Sequence, residues 1–166
     1  MGIKVGLYHG KSVTSKLIKY HSRGKYSHAS LLFNDGNAIE AWATSPFGGE
    51  VFNVPRDAKH TEGTPVDIYT VVNHNPDWEA IRQFALDQVG KDYDWKMVWG
   101  FVTKRKNEPA SSKQKWFCSE LVFAALQAGG VDLFNQTHPH EVTPMLLSRS
   151  PHLEYTSTFL TQKWRT

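Results

Sequence analysis

A chain of 166 residues with 40% apolar, 21% charged and 13% aromatic side chains is long enough for one domain, spanning residues 1–166, with a sizeable core; folding at this length buries roughly 70% of the surface that the unfolded chain exposes. The single cysteine, Cys118, excludes an internal disulfide and a cysteine-based zinc site, and no apolar run approaches the ~18 residues of a membrane span. The net charge is +3, with the basic residues gathered in "KRKNEPASSKQK" (104–115) and no alternating aromatics, which argues against nucleic acid as a partner.

That basic stretch reads either as a solvated loop or as a lip attracting an anionic surface, such as cell-wall polymer or lipid headgroups. The N-terminus, "MGIKVGLYHGK", has no apolar h-region. The expected address is therefore the cytosol, or a particle assembled there.

In chain order, "IKVGLY" (3–8) predicts a strand and "SVTSKLIKYHS" (12–22) a short helix. "HASLLF" (28–33) and "AIEAWAT" (38–44) are two strands around "NDGN", a hairpin signal. "GEVFNV" and "VDIYTVV" predict two more strands. "NPDWEAIRQFALDQVG" (75–90) predicts a helix opened by Pro76 and Asp77, with Trp78, Ile81, Phe84, Ala85 and Val89 on one face and Gly90 as the stop. Shorter helices are expected through "DWKMVWGFV" (94–102) and through 117–128, the latter ended by Gly129-Gly130. Strands and helices in this mixed order predict an α+β fold.

Cys118 falls in the first turn of the 117–128 helix, whose Leu121, Val122, Ala125 and Leu126 recur at helical spacing. A lone cysteine is commonly an inert buried residue. Here, unpaired N–H groups at the helix start and the nearby Lys113 and Lys115 favour a thiolate, which also needs a base. Eight histidines are available: His9, His21, His28, His60, His74, His138, His140 and His152. Only His28 heads a predicted strand, and rigid elements position reactive groups best. "HPHE" (138–141) matches no metal motif with a stated mechanism and reads as a turn. Trp95, Trp99 and Trp116 read as core residues.

The ordered set "SHASLLF", "AIEA", "GKDYDW", "FCSELV", spanning about residues 26–126, resembles the papain-like NlpC-type cysteine hydrolases in their circularly permuted form. In the permuted order, the histidine strand precedes the cysteine helix. The set is also similar to permuted amidase-like proteins and to the lecithin:retinol acyltransferase group. The resemblance implies a papain-like α+β fold, an antiparallel sheet packed against helices with the nucleophile at a helix N-terminus. It further implies Cys118 as nucleophile, His28 as general base, Glu40 as the group orienting the imidazole, and Tyr93 lining the site beside the oxyanion. The chemistry needs no cofactor and no metal. The implied activity is that of a thiol hydrolase on an amide bond, with cell-wall peptide as the favoured substrate. Acyl transfer or lipid-ester cleavage would use the same thioester intermediate, and an idle binding module would keep only the fold.

Three expectations are geometric. Cys118 and His28 should approach within hydrogen-bond reach, and the thiol should titrate below its unperturbed ~8.5. Glu40 shares a strand face with His28 only if the hairpin loop has three residues, 34–36, pairing Ser30 with Glu40 and His28 with Trp42. A two-residue Asp35-Gly36 turn would pair Leu31 with Glu40 and turn the carboxylate away. The expected register is the first of these, with a type I turn completed by a left-handed glycine.

Overall fold

The computed structural model describes residues 2–44, 48–96, 98 and 115–163. Eight strands, β1 (Lys4–Tyr8), β2 (His28–Leu32), β3 (Asn37–Thr44), β4 (Gly48–Pro55), β5 (Pro65–Val71), β6 (Asp92–Tyr93), β7 (Lys115–Trp116) and β8 (Leu153–Leu160), form one sheet in the order β7-β6-β4-β3-β2-β1-β5-β8. All neighbours pair antiparallel except β6 and β7, which run parallel through Asp92↔Lys115 and Tyr93↔Trp116. The described helices include α1 (Val13–Ser22), α2 (Trp78–Leu86), α3 (Cys118–Ala128) and the single turn α4 (Pro144–Leu147), preceded by a 3-10 turn at Pro139–Glu141.

The expected papain-like α+β architecture is therefore corrected. The chain is organised by one curled, mixed, eight-stranded half-barrel with few helices, not by an antiparallel sheet packed against a helical layer. Two strands account for the difference. β8, unpredicted, extends the sheet beyond β5 with alternation too weak to read, since six of its eight residues are exposed. β7 is two residues long, and a pair that short leaves no period to detect.

Local chemistry sets the helix boundaries. Ser12 Oγ accepts the Ser15 N–H at 3.1 Å, and Asp77 Oδ1 accepts the Ala80 N–H at 2.9 Å, each satisfying an unpaired donor of a first turn. Helix α2 is shorter than expected: it stops at Leu86, residues 87–90 turn, and Val89 is left exposed instead of joining Ile81 and Ala85 in the core. Trp95, Lys96 and Val98 are helical, but residue 97 and residues 99–102, Trp99 included, lie outside the described residues, as does 104–114 of the basic segment. Lys115 pairs with Asp92 across the parallel ladder at 3.3 Å on the surface.

Alternation gives the sheet two differently used faces. Val5, Leu7, Ala29, Leu31, Ile39, Ala41 and Val51 point to the main core, where they meet Leu121, Val122, Ala125 and Leu126 of α3 in the arrangement that their spacing predicts. Tyr8, Leu32, Ala38, Val66 and Ile68 form a smaller cluster on the opposite face. His28 and Glu40 lie on that second face. Among the described residues, no helix is long and apolar enough to cross a membrane.

Candidate active site

The hairpin turn decides where Glu40 points. The Phe33 N–H donates to Asn37 O at 2.9 Å, Gly36 adopts φ +87°, and the ladder runs Leu31↔Ile39 and Leu32↔Ala38. This is the three-residue register. It sets Ser30 across from Glu40, and His28 Nε2 donates to Glu40 Oε2 at 2.8 Å. Asp35 stabilises the turn by accepting the Asn37 N–H at 3.0 Å.

A second imidazole converges on the same oxygen. His60, in the loop after β4, has its Nε2 3.0 Å from Glu40 Oε2 and stacks on Tyr8 with ring centroids 3.9 Å apart. The Trp42 ring stands edge-on to both His28 (4.9 Å) and His60 (4.8 Å). Sequence reasoning offers His60 only as one of eight histidines, because the loop "RDAKHTEGT" has neither periodicity nor a motif to single it out. Glu40 is fully buried, and its second oxygen, Oε1, has no hydrogen-bond partner among the described residues.

Burial alone would raise the Glu40 pKa, but hydrogen bonds and charge from His28 and His60 outweigh it and hold the carboxyl at about 2. Burial pushes His28 down, further than its bond to Glu40 lifts it, so its imidazole is neutral near pH 7. A carboxylate only accepts, so the His28 ring proton sits on Nε2 and Nδ1 carries the free lone pair.

Cys118 begins α3, with Phe117 as N-cap donating its N–H to Glu120 Oε2 at 3.3 Å. The thiol is buried on the helix side of the sheet, where the backbone N–H groups of Ala29, Ser119 and Cys118 itself serve the sulfur. Among the described residues, the β2–β3 ladder comprises only the two rungs at Leu31 and Leu32. Beyond them, the Ala29 amide lies against Cys118, bringing the thiol to the residue next to His28.

Two expectations are corrected here. No hydrogen bond joins Cys118 to His28 among the described residues: Cys118 opens α3 and packs in the main core, whereas His28 lies on the other face of β2. The thiol pKa is not depressed: burial drives it up to about 12, and the three N–H donors and helix start only partly oppose this. With that thiolate fraction, alkylation by iodoacetamide at pH 7 is expected to run about a thousand-fold slower than for a free thiol, rising with pH toward 12. A plateau reached below pH 9 would show an activated thiolate instead.

Tyr93 ends β6 beside the Cys118 helix. Burial first, then the proximity of Cys118 and Asp94, raises its hydroxyl well above the usual value, so it remains a proton-bearing donor. A cavity of about 590 Å³ is lined by His28, His60, Tyr93, Trp42 and Trp95 together with Lys59 and α1 residues; Cys118 does not line it. Trp95 is thus a cavity wall, its Nε1–H donating to Gly48 O at 2.9 Å, whereas Trp116 is core as expected. The "HPHE" stretch is a 3-10 turn in which the His138 N–H donates to Glu141 Oε2 at 3.2 Å.

No protein-family model and no curated protein matches the chain. Among solved structures, it is similar to the metalloprotein yiiX from Escherichia coli O157:H7, described as DUF1105, at a TM-score of 0.64 and 16% identity, covering 99% of this chain and 98% of that one. At this identity the likeness shows the fold alone, and that fold is the curled eight-stranded sheet in place of the expected papain-like layers.

Proposed function

We propose that the protein is a thiol hydrolase that cleaves an amide bond, with Cys118 as nucleophile and His28 as general base. The observation that carries this reading is the His28 Nε2–Glu40 bond, which leaves the Nδ1 lone pair free one residue along β2 from Ala29, whose backbone N–H serves the Cys118 sulfur. The order of motifs, histidine strand before cysteine helix, supports it as in the permuted hydrolases.

With thiol and imidazole both neutral at rest, the reaction begins by general-base catalysis and not from a standing ion pair. His28 Nδ1 takes the thiol proton as sulfur bonds to the carbonyl carbon. The N–H groups at the start of α3 and the Tyr93 hydroxyl receive the oxyanion. The C–N bond then breaks, His28⁺ protonates the leaving amine, and a thioester remains on Cys118. His28 next deprotonates water, which attacks the thioester and releases the acid and the free thiol. Glu40 holds the ring tautomer and stabilises its cation throughout. The sulfur is buried and does not line the cavity, so attack on a substrate there requires the two to be brought together. The favoured substrate is a peptide amide such as cell-wall peptide; transfer of the acyl group to another acceptor uses the same intermediate.

The test is a panel of muropeptides and acyl esters incubated with wild type and Cys118→Ala, followed by intact-mass measurement. A substrate-derived mass increase and turnover, both lost in Cys118→Ala, are expected. Turnover that survives Cys118→Ala, or a panel giving neither adduct nor product, overturns the assignment.

A further inference from the structure

We propose that His28, Glu40 and His60 form a binding site for one divalent transition-metal cation, and that the cation, seated on His28 Nε2, switches off the base. The second half rests on the hydrolase reading; the first does not. Two imidazole nitrogens and a carboxylate oxygen from β2, β3 and the β4–β5 loop lie within 4.8 Å of one another. This is the donor set that zinc and its first-row neighbours select, whereas calcium and magnesium require oxygen cages.

The burial pattern points the same way. Glu40 is 0% exposed, yet its Oε1 has no partner among the described residues, an anionic oxygen left unserved that a cation would satisfy. Three protein ligands beside a cavity leave a fourth position open to water or substrate, since His28 and His60 both line that cavity. Tyr8 and Trp42 hold the two rings in place. Metal bonds of ~2.1 Å in tetrahedral geometry put ligand atoms about 3.4 Å apart. The present 2.8 and 3.0 Å separations therefore need to open by about half an ångström, with all the ligand atoms already within 4.8 Å of one another.

The switch follows from tautomers. In the metal-free site, each Nε2 carries its ring proton toward Glu40. A cation takes the Nε2 lone pair, so the ring proton of neutral His28 must move to Nδ1. That nitrogen then has no lone pair for the Cys118 thiol. The same residue serves as base or as ligand, never both.

Cobalt(II) titration of the full chain tests the site without reference to activity. Expected are saturable one-to-one binding with visible d–d absorption and at least a tenfold loss of affinity in His60→Gln and Glu40→Gln. Cys118→Ser should bind as wild type does. In wild-type protein, where folding of a variant is not at issue, cobalt should broaden the NMR signals of the His28 and His60 rings and spare those of His138 and His140. Absent binding, binding indifferent to His60→Gln, binding lost in Cys118→Ser, or broadening at other histidines each overturns the site. If binding holds while chelator-treated protein cleaves nothing in the substrate panel, the cation site stands and the hydrolase reading falls. If chelator-treated protein is active and saturating zinc leaves its turnover unchanged, the switch is wrong.

Discussion

Glu40→Ala is expected to destabilise the protein by about 3–5 kcal/mol and to reduce turnover by two to four orders of magnitude. The stability loss arises because one buried oxygen serves two imidazoles, so removing it leaves two buried N–H groups unpaired at about 1–3 kcal/mol each. The activity loss arises because an unheld His28 ring samples the tautomer with its proton on Nδ1. Glu40→Gln separates the effects. It keeps the shape and one acceptor, so it should unfold less readily than Glu40→Ala while still losing activity. Acid titration adds a signed check. A carboxyl held at about 2 when folded, against 4.5 unfolded, contributes stability that is complete above pH 4.5 and is lost as pH falls toward 2. Melting temperatures across that window should fall in wild type with a component absent from Glu40→Gln. Identical acid profiles would mean that Glu40 is not the ionised centre of this cluster.

Gly49→Ala is expected to be nearly as damaging, from a position that touches no reacting atom. Gly49 stands across from Ala43 with φ +138°, and an added Cβ would press on backbone: Trp42 O, Ala43 Cα at 2.9 Å and Thr44 N at 3.0 Å. Backbone cannot rotate aside, so overpacking and left-handed strain combine to about 3–5 kcal/mol, or a melting-temperature drop of roughly 10 °C. Gly36→Ala is the matched control, because Gly36 also has positive φ (+87°) but nothing lies within 4 Å of its Cβ position. It should cost about 1 kcal/mol. Equal melting temperatures for the two variants would show that the β3–β4 hairpin absorbs the clash. Since Trp42 braces both imidazoles, the surviving fraction of Gly49→Ala should also be catalytically impaired.

Where sequence and structure agree, a strong local rule was at work. "NDGN" restricts the β2–β3 turn to two loop lengths, and only one brings Glu40 to His28; Leu121, Val122, Ala125 and Leu126 can share a face only on a helix. What was illegible depends on long-range contact. His60 reaches Glu40 through a loop whose course no nearby residue dictates, and β8 has a largely exposed strand's weak pattern. The Cys118 pKa is not legible in the sequence, because charge near a helix start can be read there whereas the desolvation that exceeds it depends on the whole core. The architecture is illegible for a related reason: short motifs report on the strand and helix that carry them, not on how many strands the sheet finally gathers.

The parallel pairing of β6 and β7 has an evolutionary corollary. Two rungs, Asp92↔Lys115 and Tyr93↔Trp116, with the Asp94 N–H donating to Trp116 O at 3.0 Å, fasten Tyr93 to the residues that lead directly into Cys118. The spacing between tyrosine and thiol is therefore fixed by the ladder, and a lineage that keeps these two rungs keeps the two side chains in one register.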